Sequence, residues 1–311
     1  MKRVALISRV QWGLEALHIM LQYRSKGLDI CAVFTLPEEE SCKHSNYVSF
    51  MEVCHKNSLL LIETLNINDE TERIKELRLD YIFIFGWSQL LRQELLELPK
   101  YGCINSHPTQ LPGDRGRAPV TWQLIKGYHK SALTFIFIDE GVDNGDIIMQ
   151  REIPLTLEDT ARTFYNKIIE MGKCMLNDML PLLINNNLPR TPQDHRCATY
   201  LPRRRPEDGI IDWNNDAFEI YNWVRGLTRP FPGAFTFFKG RKLFVWSARI
   251  ESYVEVDKPP GYVKALDEDG ILVYTAKGRI YLTIVQFEGE REITQFNAVE
   301  MEILIGNILG N

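Results

Sequence analysis

The sequence predicts an α/β protein with a Rossmann-like, doubly wound and mostly parallel sheet, followed by a smaller β-rich, barrel-like C-terminal domain. Two observations predict this fold class. Apolar runs with strand character alternate with runs of helical periodicity through the first half of the chain, as in βαβ units. From about residue 206, short strand-like runs separated by Gly and charged turns replace them. We therefore expect a first domain over 1–188, a linker over 189–205 and a second domain over 206–311.

The first domain opens with the apolar run RVALIS, and apolar residues at helical spacing follow it. Further strands are predicted at ICAVFT, LLLIET, YIFIFG and CINS, with helices at YVSFMEVCHK, at a polar stretch ending near Leu77 and at LLRQELLEL. YIFIFG is apolar throughout, as expected for a strand buried on both faces of a parallel sheet. Because such sheets bind ligands beyond the carboxyl ends of their strands, we expect ligand sites in the loops after Gly86 and Ser106.

The second half of the chain begins with a long amphipathic helix after Thr160. The segment NNNLPRTPQD that follows has the composition of a linker. In the second domain one helix is predicted near 216–227, and strands are predicted at FTFF, KLFVWSARI, GYVKALD, GILVYTA and RIYLTIVQFEG.

Composition and short motifs exclude several function classes. The formal net charge of −5 over 311 residues gives no general attraction to a polyanion. No GxGxxG follows the first strand and no GxxxxGK[ST] occurs, which disfavours a dinucleotide cofactor and a P-loop. The six cysteines show no zinc-site spacing, so we expect reduced thiols and no metal. No apolar run reaches the roughly 18 residues of a membrane span, so we expect a cytoplasmic protein with no membrane partner.

Two segments carry residues suited to acyl transfer. Asn105 and His107 lie two residues apart at the end of a predicted strand, where their side chains point the same way. Asp143 lies in a tight, Gly-containing loop. An amide can donate to an oxygen that becomes negative, an imidazole can move a proton near neutral pH, and a carboxylate can orient the imidazole. Taken singly, each residue is also explained by packing or by a turn.

At these residues the sequence resembles the folate-dependent formyltransferases. NSHPTQLPGDRGRAPVTW resembles their signature, which has an Asn-x-His, a Leu-Pro and an Arg-Gly followed by Pro, and DEGVDNGDII is similar to their catalytic Asp loop. The resemblance implies the formyltransferase fold, N10-formyltetrahydrofolate as the formyl donor, and Asn105, His107 and Asp143 as the catalytic trio. It also implies that cofactor-binding residues lie in two loops, namely Gly86, Trp87, Gln89, Leu90, Leu91 and Asp139.

The expected reaction is direct attack of an acceptor amine on the formyl carbon, through a tetrahedral intermediate and without an acyl-enzyme. Asn105 would hold the developing oxyanion, and His107 supported by Asp143 would take up the amine proton. The pattern leaves open whether His107 or Asp143 is the proximal base.

The acceptor is predicted from the rest of the chain. RRRPEDGIIDW, YNWVRGLTRPFPGAF and KLFVWSARI resemble the C-terminal part shared by methionyl-tRNA formyltransferases and nucleotide-sugar N-formyltransferases. The former generally carry a basic inserted loop after the second strand, whereas this chain has the acidic run Glu38–Glu40 there. Acidic residues repel a phosphate-rich partner. We therefore expect a UDP- or dTDP-linked amino sugar as the substrate, for polysaccharide biosynthesis, and no nucleic acid.

This interpretation makes Arg115, Arg203, Arg204 and Tyr221 candidates for substrate binding, because arginine binds phosphate bidentately and tyrosine can stack on a base. The sugar, the base and the position of the amine, at C3 or C4, stay open. One alternative is a methionyl-tRNA formyltransferase. An alternative of another class is a non-catalytic nucleotide-sugar-binding module. The pattern also allows a homodimer.

Overall fold

The computed structural model describes residues 1–43, 46–296 and 305–310. These residues fall into two compact units. The first comprises Met1–Pro119, Lys130–Pro154 and Asn166–Leu201. The second comprises Val120–His129, Leu155–Tyr165 and the described residues from Pro202 onward. The domain and linker boundaries given above stay a prediction.

The first unit contains one large sheet and one short ladder. Its strands are β1 (Lys2–Ser8), β2 (Leu28–Thr35), β3 (Leu61–Glu63), β4 (Tyr81–Phe85), β5 (Gly102–His107), β6 (Arg115–Gly116), β7 (Lys130–Phe137), β8 (Ile147–Pro154) and β9 (Tyr200–Leu201). Seven strands form the large sheet in the order β3-β2-β1-β4-β5-β7-β8, and β6 pairs with β9. The first five strands in this order pair in parallel. β7 pairs antiparallel with β5, and β8 pairs antiparallel with β7. This confirms the predicted mostly parallel α/β sheet.

Continuous apolar runs account for the centre of this sheet. All residues of β4 are buried, and β1 is buried from Val4 to Ser8. A strand covered on both faces has no solvent side, so it needs no alternation of polar residues. One of the resulting core clusters joins Ile7, Phe34 and Ile84 from three adjacent strands.

The helices are α1 (Gln11–Gln22), α2 (Met51–Lys56), α3 (Thr71–Glu76), α4 (Gln93–Leu96), α5 (Pro119–Ile125), α6 (Ala161–Ile184) and α7 (Ala217–Leu227). Among the described residues, none of these helices is long and apolar enough to cross a membrane.

Two helices are shorter than the sequence predicts, because the backbone before each is bonded elsewhere. Before α2, Val48 N donates to Arg9 O. Before α4, the Asn68 side chain accepts from Arg92 N and donates to Leu90 O. These backbone groups are satisfied by distant parts of the chain, so a helical turn would gain nothing there.

The second unit is an antiparallel sheet with one helix packed against it. Its strands are β10 (Ala234–Phe238), β11 (Arg241–Ser252), β12 (Val263–Asp267), β13 (Gly270–Tyr274) and β14 (Arg279–Phe287), in the order β10-β11-β14-β13-β12. Helix α7 begins with a capping box, in which Asp216 accepts from Glu219 N and the Glu219 carboxylate accepts from Asp216 N. Ile220 and Val224 of α7 share one apolar core with Leu243 of β11. The predicted β-rich second domain is confirmed.

The described cysteines are free thiols. Burial raises the pKa of Cys54 to about 11 and that of Cys103 to about 12. A thiol with so high a pKa forms little of the reactive thiolate at neutral pH. Cys54 and Cys103 are buried, whereas Cys174 and Cys197 are exposed. The Cys42 side chain lies outside the described residues.

Gly172 lies on α6 directly over the ring of Trp12. A Cβ added there would lie 2.6 Å from that ring, and Trp12 is only 4% exposed. Gly172→Ala should destabilise the protein by about 1–3 kcal/mol, because overpacking the core outweighs the better helix propensity of alanine. Thermal unfolding followed by circular dichroism should show a Tm lower by several degrees.

The matched control is Asn166→Ala at an exposed position of the same helix. It should change the free energy of unfolding by no more than about 0.5 kcal/mol. An unchanged Tm for Gly172→Ala would show that the Trp12 ring has room to move.

Candidate active site

The end of β5 carries the two neighbouring candidates Asn105 and His107. Asn105 pairs with Ile84 of the parallel neighbour β4 and with Ile136 of the antiparallel neighbour β7. The sheet therefore changes from parallel to antiparallel pairing at this strand. Because side chains alternate along a strand, Asn105 and His107 share one face. Ser106 lies on the other face, where its Oγ accepts a hydrogen bond from Trp12 Nε1 at 2.8 Å.

His107 is buried and has an oxygen near each ring nitrogen. It is 5% exposed. Nε2 lies 3.0 Å from the carbonyl oxygen of Asp114, and Nδ1 lies 3.5 Å from Oδ2 of Asp143. A carbonyl and a carboxylate can only accept, so the doubly protonated ring is the form that donates to both. The ring can therefore hold a proton between fixed oxygen atoms.

Asp143 lies at the tip of the loop between β7 and β8. Its Oδ2 accepts a hydrogen bond from Gly116 N at 2.9 Å, and its side chain is 14% exposed. Its φ is +49°, a left-handed conformation that Asp adopts more readily than most residues. Gly145 closes the loop, since a Cβ there would lie 2.0 Å from Phe137 O. The loop thus presents the Asp143 carboxylate to His107.

Asn105 is half-buried beside this pair. Its Oδ1 accepts from Ser106 N at 2.8 Å. That bond fixes the orientation of the amide and leaves Nδ2 as its donor group. Within residues 1–43, 46–296 and 305–310, no hydrogen bond from Nδ2 is found. The structure therefore pairs His107 with Asp143 and places Asn105 on the same face of β5 as His107, with its Nδ2 as a donor for a ligand.

The loop after β4 holds the residues predicted to bind a cofactor. Gly86 has a φ of +66°, and a Cβ there would lie 2.3 Å from Val10 Cγ2. Trp87 and Leu91 pack against the core cluster of the sheet, whereas Leu90 is 71% exposed. Of the apolar side chains in the predicted set, Leu90 is the most accessible to a ligand.

The Gln89 side chain braces this loop. Its Oε1 accepts from Ile67 N at 3.0 Å and from Trp87 Nε1 at 3.2 Å, and its Nε2 donates to Leu65 O at 2.5 Å. These partners favour a structural role for Gln89 over the cofactor contact predicted from the sequence. Asp139 is exposed, and its Oδ1 accepts from the adjacent Glu140 N at 2.8 Å.

A cavity of about 250 Å³ opens beside the β4 loop. It lies at the carboxyl ends of the parallel strands, where this sheet type binds ligands. Its walls combine apolar and polar groups from four loops: Arg9, Leu36, Glu40, Leu65, Trp87, Ser88 and Gln89. Among the described residues, no group of His, Cys, Asp and Glu is arranged to hold a metal ion.

Two family models match the chain. Residues 1–180 match the one described as formyl transferase, and residues 204–299 match the one described as formyl transferase, C-terminal domain.

The chain belongs to the formyl transferase family. It is therefore a folate-dependent formyltransferase that uses N10-formyltetrahydrofolate as its formyl donor, as the resemblance implied. The cavity suits the planar pterin of that donor, since Trp87 and two leucines offer apolar walls while Ser88 and Arg9 offer polar groups.

Eight sequence relatives of this formyltransferase are methionyl-tRNA formyltransferases. The methionyl-tRNA formyltransferase of Desulforamulus reducens is 34% identical over 276 residues, which cover 87% of each chain. Seven further methionyl-tRNA formyltransferases, among them that of Alkaliphilus oremlandii, are 30–34% identical over 86–94% of this chain.

Solved structures share the fold at lower identity. The N-formyltransferase of Helicobacter canadensis, in complex with folinic acid and dTDP-3-aminofucose, has a TM-score of 0.67 at 18% identity and covers 96% of this chain and 100% of its own. HypX of Aquifex aeolicus, in complex with tetrahydrofolic acid, has a TM-score of 0.67 at 20% identity and covers 98% of this chain. This chain spans about half of HypX, 47% of its length.

The sequence relatives overturn two predictions. The expected nucleotide-linked amino sugar is wrong as the main substrate, and so is the expectation that no nucleic acid binds. The net charge and the acidic run did not predict the partner correctly, because exposed charges act over only about 8–10 Å at physiological salt. A short acidic run and a whole-chain charge therefore do not describe every surface. Glu39 and Glu40 also interact with neighbouring groups of the protein.

The predicted substrate-binding residues differ in accessibility. Arg203 is exposed. The Arg204 guanidinium lies between two indoles, 4.8 Å from the Trp122 ring and 4.6 Å from the Trp223 ring, and burial there lowers its pKa. Tyr221 donates from its hydroxyl to Leu157 O at 2.8 Å and packs against the core of the second unit. Arg204 and Tyr221 thus have structural partners, and Arg203 is the accessible member.

Arg115 is the least accessible of the predicted set. It is 1% exposed. Its guanidinium donates to Gln193 Oε1 at 2.7 and 3.2 Å and to Tyr200 Oη at 3.2 Å, and Nη2 lies 3.1 Å from His195 Nδ1. Burial and these partners favour a structural role over the substrate contact predicted from the sequence.

The segment 191–201, which lies within the linker predicted over 189–205, contributes to the site. Thr191 pairs with Ile147 at the start of β8, and Gln193 hydrogen-bonds the Asp143 loop. Thr199 accepts from Asp114 N and β9 pairs with β6. No local pattern in the sequence marks these residues, because their partners lie about 50 to 85 positions away.

Arg115→Met should lower the free energy of unfolding by about 3–5 kcal/mol, because it leaves the buried partners of the guanidinium unpaired. The control Arg117→Met removes an exposed arginine, whose guanidinium donates to Ser88 O at 3.1 Å, and should cost less than about 1 kcal/mol. Thermal unfolding of both variants measures the difference. A stable Arg115→Met protein with impaired substrate binding would restore the role predicted from the sequence.

Proposed function

We propose that this formyltransferase transfers the formyl group of N10-formyltetrahydrofolate to the α-amino group of methionyl-tRNA. The observation that carries the proposal is that eight sequence relatives, 30–34% identical over 86–94% of this chain, are methionyl-tRNA formyltransferases. Such coverage includes both the sheet that bears Asn105 and His107 and the second unit. We place the reaction in the cytoplasm, where charged tRNA is available.

The trio supplies three functions in this proposal. Asn105 donates from Nδ2 to the carbonyl oxygen of the formyl group, where negative charge develops during attack. His107 accepts the proton that the attacking amine gives up and passes it toward the leaving nitrogen. Asp143, 3.5 Å from His107 Nδ1, holds the ring in place and stabilises its charged form. The bound donor supplies the activated formyl group.

Cofactor binding in this proposal relies on the loop after β4. Trp87 and the exposed Leu90 offer apolar contacts to the pterin, and Gly86 lets the backbone turn sharply enough for its polar groups to reach the ring edge. Asp139, at the start of the loop that carries Asp143, lies free of the core. Gln89 acts by fixing the shape of the loop.

Contact with tRNA requires local positive charge. Arg203 and Arg205 are exposed on either side of Arg204, whose guanidinium is held between two tryptophan rings. Because Arg204 is held between the two rings, the chain is fixed at this point, and Arg203 and Arg205 can present their side chains to phosphate groups. Such contacts are electrostatic, so affinity for tRNA should fall as salt concentration rises.

The proposal is tested by incubating the purified protein with N10-formyltetrahydrofolate and separate acceptors. These are methionyl-tRNA, uncharged tRNA, dTDP- and UDP-linked amino sugars, and water. Formylmethionine released from the tRNA and tetrahydrofolate are both quantified. We expect equal amounts of the two products with methionyl-tRNA alone. Turnover with an amino sugar and none with methionyl-tRNA would refute the proposal.

Asn105→Ala should lower kcat by about 10²–10³-fold, the usual cost of losing one oxyanion donor, with little change in donor affinity. Steady-state kinetics and tetrahydrofolate binding by intrinsic fluorescence measure the two quantities. Asn187→Ala, which removes an exposed asparagine beyond α6, is the control and should match the wild type. Near-normal kcat in Asn105→Ala would remove Asn105 from the mechanism.

A further inference from the structure

We propose that Gln193 is a positioning residue that sets the conformation of the Asp143 loop and thereby the orientation of the Asp143 carboxylate toward His107. The inference rests on the proposed catalytic trio. Gln193 lies in a segment whose composition predicts a linker, yet it is only 6% exposed. A buried amide needs partners for its donors and its acceptor, and these partners connect it to both flanks of the site.

The donor end of Gln193 holds the Asp143 loop. Nε2 donates to Asp143 O at 2.9 Å and to Gly145 O at 2.7 Å. A primary amide has two N–H groups, so both are used on one loop. The two carbonyls lie on either side of Asn144, and fixing them fixes the backbone from which the Asp143 side chain projects.

The acceptor end of Gln193 is held by Arg115. Oε1 accepts from Arg115 Nε at 3.2 Å and from Nη2 at 2.7 Å. A guanidinium has donors only, so the amide oxygen must face Arg115 and the amide nitrogen must face the loop. Arg115 is itself 1% exposed. Because this buried guanidinium offers only donors, the amide of Gln193 has a single orientation.

Gln193 also connects, through Arg115, to the strand that bonds the Asp143 carboxylate directly. Gly116, whose N–H donates to Asp143 Oδ2 at 2.9 Å, directly follows Arg115 in β6. Gln193 therefore joins the strand that bonds the carboxylate to the loop that carries it. Asp143 has a φ of +49°, in the left-handed region that is uncommon for residues other than Gly, although Asp adopts it more readily than most. Without the Gln193 amide the loop can relax, and the distance from Asp143 to His107 is no longer fixed.

The test uses Gln193→Met, which keeps the length of the side chain and removes both hydrogen-bonding functions. It should lower kcat about 10–100-fold, as expected for a small displacement of a catalytic group, with KM changed by less than about threefold. In an Asp143→Asn background the same substitution should have no further effect on kcat. Gln93→Met on the exposed face of α4 is the control and should match the wild type.

A double-mutant cycle separates positioning from general damage. If Gln193→Met lowers kcat by the same factor with and without Asp143→Asn, the residue does not act through Asp143 and the inference is wrong. If Gln193→Met does not fold, Gln193→Asn takes its place. Asn keeps the amide but is one methylene too short to reach Arg115 and both carbonyls, so the same pattern is expected.

A second measurement does not depend on the acceptor. In protein with ¹⁵N-labelled histidine, the ring signals of His107, assigned by their loss in His107→Gln, should move in Gln193→Met and stay in place in Gln93→Met. Unmoved signals would contradict the inference. A wild-type protein that is inactive on methionyl-tRNA would refute the proposed function alone, because these spectra still report on Gln193.

Discussion

The geometry of the candidate active site depends on holding the Asp143 carboxylate on a loop residue whose backbone conformation is uncommon outside glycine. Asp143 faces His107 across 3.5 Å from a loop residue with a φ of +49°. Ordering the backbone of a loop costs roughly 1–2 kcal/mol per residue, so the loop keeps this shape only if other groups hold it. Hydrogen bonds from Gly116 to the side chain and from Gln193 to the backbone provide that support. The chemistry of the trio therefore depends on residues that do not themselves react.

The sheet supplies the rigid side of the same arrangement. β5 lies between a parallel and an antiparallel neighbour, and its last residues carry Asn105 and His107. The amide of Asn105 is oriented by a bond to the next residue of its own strand. A rigid strand thus presents two of the three groups, and a braced loop brings the third. This arrangement suits a reaction in which a proton must be accepted and an oxyanion must be bound at fixed positions.

The proposed acceptor rests on a different kind of observation. Charge and loop composition favoured a small nucleotide sugar, whereas relatives that cover most of the chain are methionyl-tRNA formyltransferases. Electrostatic attraction is local and screened, so an acidic total charge is compatible with a few exposed arginines that contact phosphate. Arg203 and Arg205, beside the stacked Arg204, are exposed, and the proposed function assigns them this role.

The sequence by itself determined most of the strands and helices, because hydrophobic periodicity and turn residues act over a few positions, but β6, β7 and β9 are not among the predicted strands. It also identified Asn105, His107 and Asp143 as candidates, since their spacing and motifs are local. Tertiary structure alone decided that Arg115 is buried, that the Gln89 side chain bonds Leu65, Ile67 and Trp87, and that Gln193 bonds the Asp143 loop. Their partners lie far along the chain, and a hydrogen bond between distant segments leaves no periodic trace in the sequence. The burial of a polar side chain is likewise a property of its neighbours in space, and only the folded chain brings those together.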